Sequence, residues 1–459
     1  MHPARMIQTK GKEMKRFFFL SIFFWTSFFQ PGLLAAADTE PSAELEARLQ
    51  YTLELSDLLG YAFASNPAIS ASQKSWQIFI ENYRIGTSYP DPRVSGTFFP
   101  RPIETRLGPQ DWNLTLSQAV PFPGTLTAKG RVLAADVDIS RLRVDKTVKE
   151  IVSSVSAAFY ELAYIQTALE IAGANLDLNR QLLEISQHAY AGDRALFYDV
   201  SKARAQTAQI HYDILLLEEL AAVEKTNINT LLNRAPDAPL GRVSGGDPRQ
   251  AAYSLEEIYA LALMHQEDIR MADLAVEKAE HAIVLSKYEN LPSFTFGLFY
   301  AGIGEPDVMV PPRDAGEDAV GVQLGVTLPV WWGKNKSRTA LAETAVEKAK
   351  AEQQVAANEL KARISRMWFR LQNAGRLTTL YEKELIPQAM AALQTAETWF
   401  RQGEGGFADF LEIQATAYNF QLALARSKAD YAKTLVQLEQ AAGVILDIKQ
   451  TGALEAEAP

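Results

Sequence analysis

The sequence predicts a mainly α-helical chain with a small β part: long antiparallel helical hairpins joined to four strands. Three observations carry that expectation. Two long, nearly proline-free runs keep an apolar seam at alternating steps of four and three. Four short segments alternate apolar and small polar residues with period two. The whole order of elements also occurs twice within 459 residues.

The helical seams are explicit. Ile151, Val155, Ala158, Leu162, Ile165, Leu169, Ala172 and Leu176 step as a heptad pattern. Leu360, Ile364, Met367, Leu371 and Ala374 repeat it. No proline interrupts residues 125–190, and the matching run 334–400 meets only Pro387. At about 1.5 Å per residue each rod would reach ~95–100 Å. Return helices follow, the first on Val200, Ala203, Thr207, Ile210, Ile214 and Leu217, the second across residues 411–442. Small seam residues let such helices pack closely and curve as a layer. A pair of soluble coiled-coil spacers would show the same seams.

The strands come from alternation. Val320, Val322, Leu324, Val326 and Leu328 alternate with Gly321, Gln323, Gly325 and Thr327. Trp112, Leu114 and Leu116 alternate with Asn113, Thr115 and Ser117; Phe294, Phe296 and Leu298 do so with Ser293, Thr295 and Gly297. Residues 94–99 are a weaker copy. One apolar and one small polar face suits a membrane barrel strand, and equally a soluble sandwich strand. Context favours the membrane. Residues 100–111 and 302–317 are polar and Pro-rich, as external loops are, while Phe122, Trp331 and Trp332 stand at the opposite strand ends, where an interfacial girdle belongs. Four strands cannot close a barrel across lipid, which takes about eight. Either further copies complete the sheet, or it is not a barrel.

The duplication organises the chain. Asp57-Leu58-Leu59-Gly60-Tyr61-Ala62 aligns with Glu257-Ile258-Tyr259-Ala260-Leu261-Ala262 at an offset of 200, which carries Ile69 onto Ile269 and Pro92 onto Pro292. Val120-Pro121-Phe122 matches Leu328-Pro329-Val330, and Asp199 matches Asp409. The expected layout is a first repeat over 38–240, with strand hairpin 93–119 and helical hairpin 125–234. A linker follows at 241–252, within the Pro/Gly-rich stretch 235–247. The second repeat spans 253–445, with strand hairpin 292–329 and helical hairpin 334–443, and 446–459 form a tail.

Residues 1–37 are expected to be a cleaved signal peptide. Lys10, Lys12, Lys15 and Arg16 precede an apolar run over 17–29, and Ala35, Ala36 and Ala37 supply the cleavage site. The run is shorter than the ~20 residues of a spanning helix. Its removal takes away five basic residues and one acid, moving the formal charge from −10 to about −14. That balance argues against nucleic acid as a partner. With no cysteine there is no disulfide, thiolate metal site or lipidated N-terminal Cys. No later stretch has the length and apolarity of a spanning helix, so a membrane crossing would have to be a closed barrel.

The duplicated strand hairpin and helical hairpin, the leader and the tips together resemble the TolC-like outer-membrane efflux family, over residues 51–443. The most specific piece is Gly403-Glu404-Gly405-Gly406-Phe407-Ala408-Asp409-Phe410-Leu411-Glu412, similar to the family's Gly followed six residues later by Asp-x-Leu-acid. Gly192 to Asp199-Val200 is a looser copy. The resemblance implies a homotrimer with a 12-strand barrel in the outer membrane and a 12-helix periplasmic tunnel. It also implies a periplasmic adaptor (membrane fusion) protein and an inner-membrane efflux pump as partners. By the same resemblance Asp409 and Glu412 match acidic residues of the periplasmic mouth, and Asp199 a tip residue that helps hold it shut. Gly405 stands where some members carry a basic latch, so the same ionic closure is not expected. The overall likeness leans toward the heavy-metal or drug efflux branch.

Read from the residues alone, three copies of Asp409 and Glu412 in a constriction would favour cations. Equally, carboxylates near a helix start are stabilised by its dipole. Other chemistry is not expected. His2, His188, His211, His265 and His281 are dispersed without metal-ligand spacing, so neither metal nor cofactor is predicted. No phosphate-binding loop appears, and nothing marks a catalytic pocket. The expected function is an outer-membrane exit duct rather than an enzyme; the alternative is a periplasmic coiled-coil adaptor or scaffold without a pore.

Overall fold

A computed structural model describes residues 43–192, 196–245, 249–402 and 406–446. The expected leader 1–37, the tip glycines Gly403 and Gly405 and most of the tail lie outside the described residues.

The elements run α1 (Ala43–Tyr51), β1 (Thr52–Leu53), α2 (Leu55–Ser65), α3 (Pro67–Thr87), β2 (Arg93–Thr105), β3 (Gly108–Val120), α4 (Thr125–Ala191) and α5 (Phe197–Leu231). The second half gives β4 (Arg242–Val243), α6 (Leu255–His265), α7 (Glu267–Glu289), β5 (Ser293–Ile303), β6 (Ala319–Thr327), α8 (Trp332–Leu380), α9 (Ile386–Gln402) and α10 (Phe407–Ala442). A π-helical turn, Tyr381–Leu385, joins α8 to α9. Pro387 explains it: proline has no N–H and its ring clashes with the carbonyl four residues back. A wider turn relieves both without ending the rod.

The helices stand as four parallel columns. Beside the sheet the order is α3, α4, α7, α8; farther away it is α5, α4, α10, α8 and α9. Two columns are therefore continuous rods, and two are stacks of shorter helices meeting end to end. At the first joint Asn66 accepts from Ala68 N–H through Oδ1 (2.8 Å) and donates from Nδ2 to Leu231 O (2.8 Å). One amide thus satisfies the start of α3 and the end of α5. At the second, Lys149 on α4 donates to Gly443 O (2.8 Å) and pairs with Glu267, whose side chain is only 4% exposed. Two apolar clusters flank the joints, one around Leu58, Phe159 and Leu232, the other around Ile258, Ile364 and Leu438.

β1 and β4 form a two-residue parallel pair, Thr52 against Arg242 and Leu53 against Val243. The expected linker is therefore partly a strand, because Leu53 and Val243 pack on the first cluster. The main sheet is antiparallel in the order β2-β3-β5-β6. Its register aligns Val94, Leu116, Leu298 and Val322 in one row, and Gly96, Leu114, Tyr300 and Val320 in the next. The opposite face carries Ser95, Thr115, Phe299 and Gly321, the Phe299 ring lying over Gly321, then Ser117, Gly297 and Gln323. Alternation along each strand thus becomes an apolar stripe four strands wide. It is open to the outside, with Val322 at 72% and Leu324 at 74% exposure.

The external loop expected over 100–111 is corrected. β2 continues to Thr105, and only Arg106 and Leu107 remain in the turn. Pro100 and Pro102 mimic a loop in sequence, but β2 is an edge strand and its register shifts between Phe98 and Ile103. Edge strands and bulges tolerate missing N–H donors. The second loop is a true one and is tied to this turn. Gly304 N–H donates to Pro109 O (2.7 Å), Gly316 N–H donates to Leu107 O (2.8 Å), and Arg106 pairs with Asp314 (2.8 Å). Gly108 takes φ +135°, and a Cβ there would lie 1.8 Å from Gly304 O, so only glycine fits.

The seam between α4 and α10 carries an ionic clasp. Glu161 accepts from Arg426 Nη1 (2.7 Å) and pairs with Lys433. Burial pushes the Glu161 carboxyl up, but hydrogen bonds and charge from Lys433 and Arg426 outweigh it and hold the pKa below the ordinary 4.5. A lowered carboxyl stabilises the fold above its unfolded value and loses that contribution as pH falls through the folded one. We expect Glu161→Gln to lower stability by about 1–2 kcal/mol at pH 7, since Arg426 and Lys433 lose one of the two carboxylates they share and keep only Asp430. The difference should shrink as pH falls below the ordinary carboxylate value and vanish once Glu161 is protonated in the folded protein, as checked by melting across pH 7 to 3.

Candidate functional site

The end of the columns remote from the sheet holds the tips of both hairpins. α4 closes on Gly192, whose N–H donates to His188 O and Ala189 O at 3.2 Å each. α5 and α10 then start in the same way, with an acid at the third helical position: Asp199 and Asp409. Asp199 is half-buried and caps its own helix, accepting from Leu196 N–H at 3.1 Å. That bond completes a local turn, and it is the contact in which the structure places Asp199.

Asp409 and Glu412 behave differently. The buried face of α10 begins with Phe407, Phe410, Leu411 and Gln414, which turns the intervening positions outward. Phe410 stacks on Phe400 (6.1 Å, 4° between planes), and Phe407 lies 5.3 Å from the same ring. Leu182 and Ala203 from the first hairpin join this cluster. Asp409 and Glu412, three residues apart, therefore share an exposed face. They line a groove of about 540 Å³ between α9 and α10 with Gln388, Ala392, Thr416 and Phe420. Among the described residues no Lys or Arg pairs with either. Lys202 instead donates to Ala408 O (3.3 Å), linking the two tips through backbone.

Behind the tip the seam between α4 and α10 is polar. Gln414 Nε2 donates to Asn175 Oδ1 (2.8 Å) and Asn179 Nδ2 to Asn175 O (2.9 Å). Asn175 Nδ2, Asn179 Oδ1, Gln414 Oε1 and the Tyr418 hydroxyl are buried without a hydrogen-bond partner. The Tyr418 pKa is pushed up to about 12 by burial, then by the charges of Asp213 and Tyr164. Sequence reasoning missed this seam, and Gln414 at the buried α10 step after Phe407 and Leu411 was its signal. At the sheet end, Phe122 stacks on Phe294 (6.5 Å) while Trp331 and Trp332 are exposed. Trp332 opens α8 two residues earlier than expected.

With this geometry in place the likeness to known proteins is specific. Residues 258–444 match the family model for outer membrane efflux proteins. Nodulation protein T of Rhizobium leguminosarum bv. trifolii is 22% identical over 438 residues, 91% of this chain and 87% of that one. Outer membrane protein TolC of Vibrio cholerae is 25% identical over 309 residues, 65% and 69% of the two chains. Among solved structures, the outer membrane protein VceC of V. cholerae superposes with a TM-score of 0.70 at 20% identity, over 88% of this chain and 99% of its own. The fold is that of the TolC-like outer-membrane channels, mainly helical with a small sheet.

The Asp199 cap makes a separable prediction. Asp199→Ala should cost about 1 kcal/mol of local stability. Faster amide exchange confined to the first turn of α5, with overall melting nearly unchanged, is the expected readout.

Proposed function

We propose that this chain is the outer-membrane exit channel of a tripartite efflux or export system. It passes substrate from a periplasmic adaptor and an inner-membrane pump to the exterior, as a conduit rather than an enzyme. The observation that carries this reading is the outward apolar stripe across all four strands of a sheet whose edges, β2 and β6, remain open. Lipid tolerates no open sheet edge. The helical columns pose the same problem, since α3 with α5 and α8 with α9 form two free flanks. Three copies, edge to edge, would give twelve strands and twelve columns, which is the assembly we propose. The match to the outer membrane efflux family and the likeness to TolC support it. A periplasmic scaffold would leave the exposed stripe without a purpose. In this assembly Asp409 and Glu412 form the acidic mouth, Gly192, Gly403 and Gly405 belong to the tips, and Asp199 braces the start of α5 beside it. Phe122, Trp331 and Trp332 mark the membrane interface.

Two experiments test this reading. Leu324→Arg puts a charge on the lipid face and should destabilise the barrel by ~2–4 kcal/mol if near mid-membrane; wild-type melting and a trimeric mass in detergent for that variant would argue against a membrane strand. Asp409→Asn with Glu412→Gln keeps size while removing both charges. In planar bilayers it should lose cation preference, because carboxylate rings attract cations at close quarters. Unchanged selectivity would assign both acids to ordinary helix-start roles.

A further inference from the structure

The two rims of the sheet carry opposite charge. The rim formed by residues 100–111 and 304–318 has seven acids against three arginines. At the other rim all four neighbouring helix ends converge: the last turns of α3 and α7, and the first turns of α4 and α8. There residues 84–93, 121–131, 287–292 and 328–338 hold eight basic side chains against two acids. This bias occurs in a chain whose formal net charge is −10, so it is local and does not follow from composition.

Most of these cations are free. Arg338 is tied to Asn290 Oδ1 (2.7 Å), and Arg84 to Glu81 (2.7 Å). Arg93, Lys129, Arg131, Lys287, Lys334 and Lys336 are all exposed, and among the described residues none of them is in an ion pair. Exposed cations without an ion pair among the described residues occur elsewhere too, as at Lys361, Arg366 and Arg370 on α8, but only this rim sets eight basic side chains against two acids directly beside the apolar stripe. That local excess of positive charge, set against the stripe, points to an anionic partner outside the chain. The band is continuous with the apolar stripe above it, and Trp331 and Trp332, 73% and 81% exposed, stand between the two. Apolar surface, then indole, then cation is the order met in crossing from acyl chains through the glycerol level to the headgroup phosphates.

We infer that this rim is a binding collar for anionic phospholipid of the periplasmic leaflet, with Lys129, Lys334 and Lys336 among the groups that hold the headgroup phosphates. The inference rests on the membrane reading above and adds a lipid class and an orientation to it. The stripe alone would insert into any bilayer of matching thickness; the collar selects anionic headgroups on one side and holds the helices on that side.

The test uses the full-length protein, purified in detergent and mixed with vesicles of phosphatidylethanolamine alone or with phosphatidylglycerol added. Wild type should favour the phosphatidylglycerol vesicles, the preference falling as salt rises. Lys129→Gln with Lys334→Gln and Lys336→Gln should lower it at least about tenfold, and the three Lys→Arg changes should preserve it. These side chains are exposed and unpaired, so the triple variants should keep the wild-type melting temperature and oligomer. Equal insertion of wild type into both vesicles, or an unchanged preference in the Gln variant, overturns the collar while leaving the membrane reading intact. Failure to insert into either overturns both.

Discussion

The structure depends on what happens where two helices meet end to end. A helix terminus leaves four backbone groups without partners, and burying such an end without replacements is expensive. Here two joints are buried against continuous rods, and each is satisfied by a side chain that reaches both sides. Asn66 serves the α3–α5 joint with one amide. Lys149, Glu267 and Gly443 serve the α7–α10 joint with an ammonium, a buried carboxylate and a carbonyl. With the ends satisfied, two short helices act as one long column beside α4 or α8, and the four columns become a single layer.

From that layer the remainder follows. Both flanks of the layer stay unpaired, as do both edges of the sheet, which is why the proposed assembly draws on further copies. The tips are held by aromatic packing of Phe400, Phe407 and Phe410, with a sparsely bonded polar seam behind them. Nearer the joints the same seam is clasped by Glu161, Arg426 and Lys433. Bonding between the two hairpins is therefore strongest next to the joints and weakest toward the tips. The only described π turn, together with Pro387, lies in the second hairpin, between those two regions.

What the sequence revealed was periodic. Heptad steps located both rods, and alternation located the sheet with its apolar face, because those patterns follow directly from backbone geometry. What it hid depended on neighbours. Pro100 and Pro102 read as loop residues until β2 proved to be an edge strand. Asn175, Asn179 and Gln414 are not singled out by the sequence at all, since little in their local pattern says which column will cover them. Of the acids at the tips, Asp199 and Asp409 hold equivalent positions in the repeat, yet only the structure separates a capping carboxylate from one turned out into a groove. In the proposed trimer the chemistry of Asp409 and Glu412 would be set by the other two copies.

Columns of matched height also limit how such a chain can change over generations. Inserting residues into α4 would lift one rod past its three neighbours, break the joint at Lys149 and shift the sheet against the tips. Length can therefore change inside the columns mainly by compensating steps in several helices at once. Single insertions are best tolerated at the tips, in the 304–318 loop and in the segment between the repeats, or inside a column where a π turn absorbs them, as at Tyr381–Leu385. The spacing between the two halves grows from 200 at Pro92 and Pro292 to 208 at Pro121 and Pro329, a difference taken up in the strands and the 304–318 loop, which has the form that an old duplication would leave under this restriction.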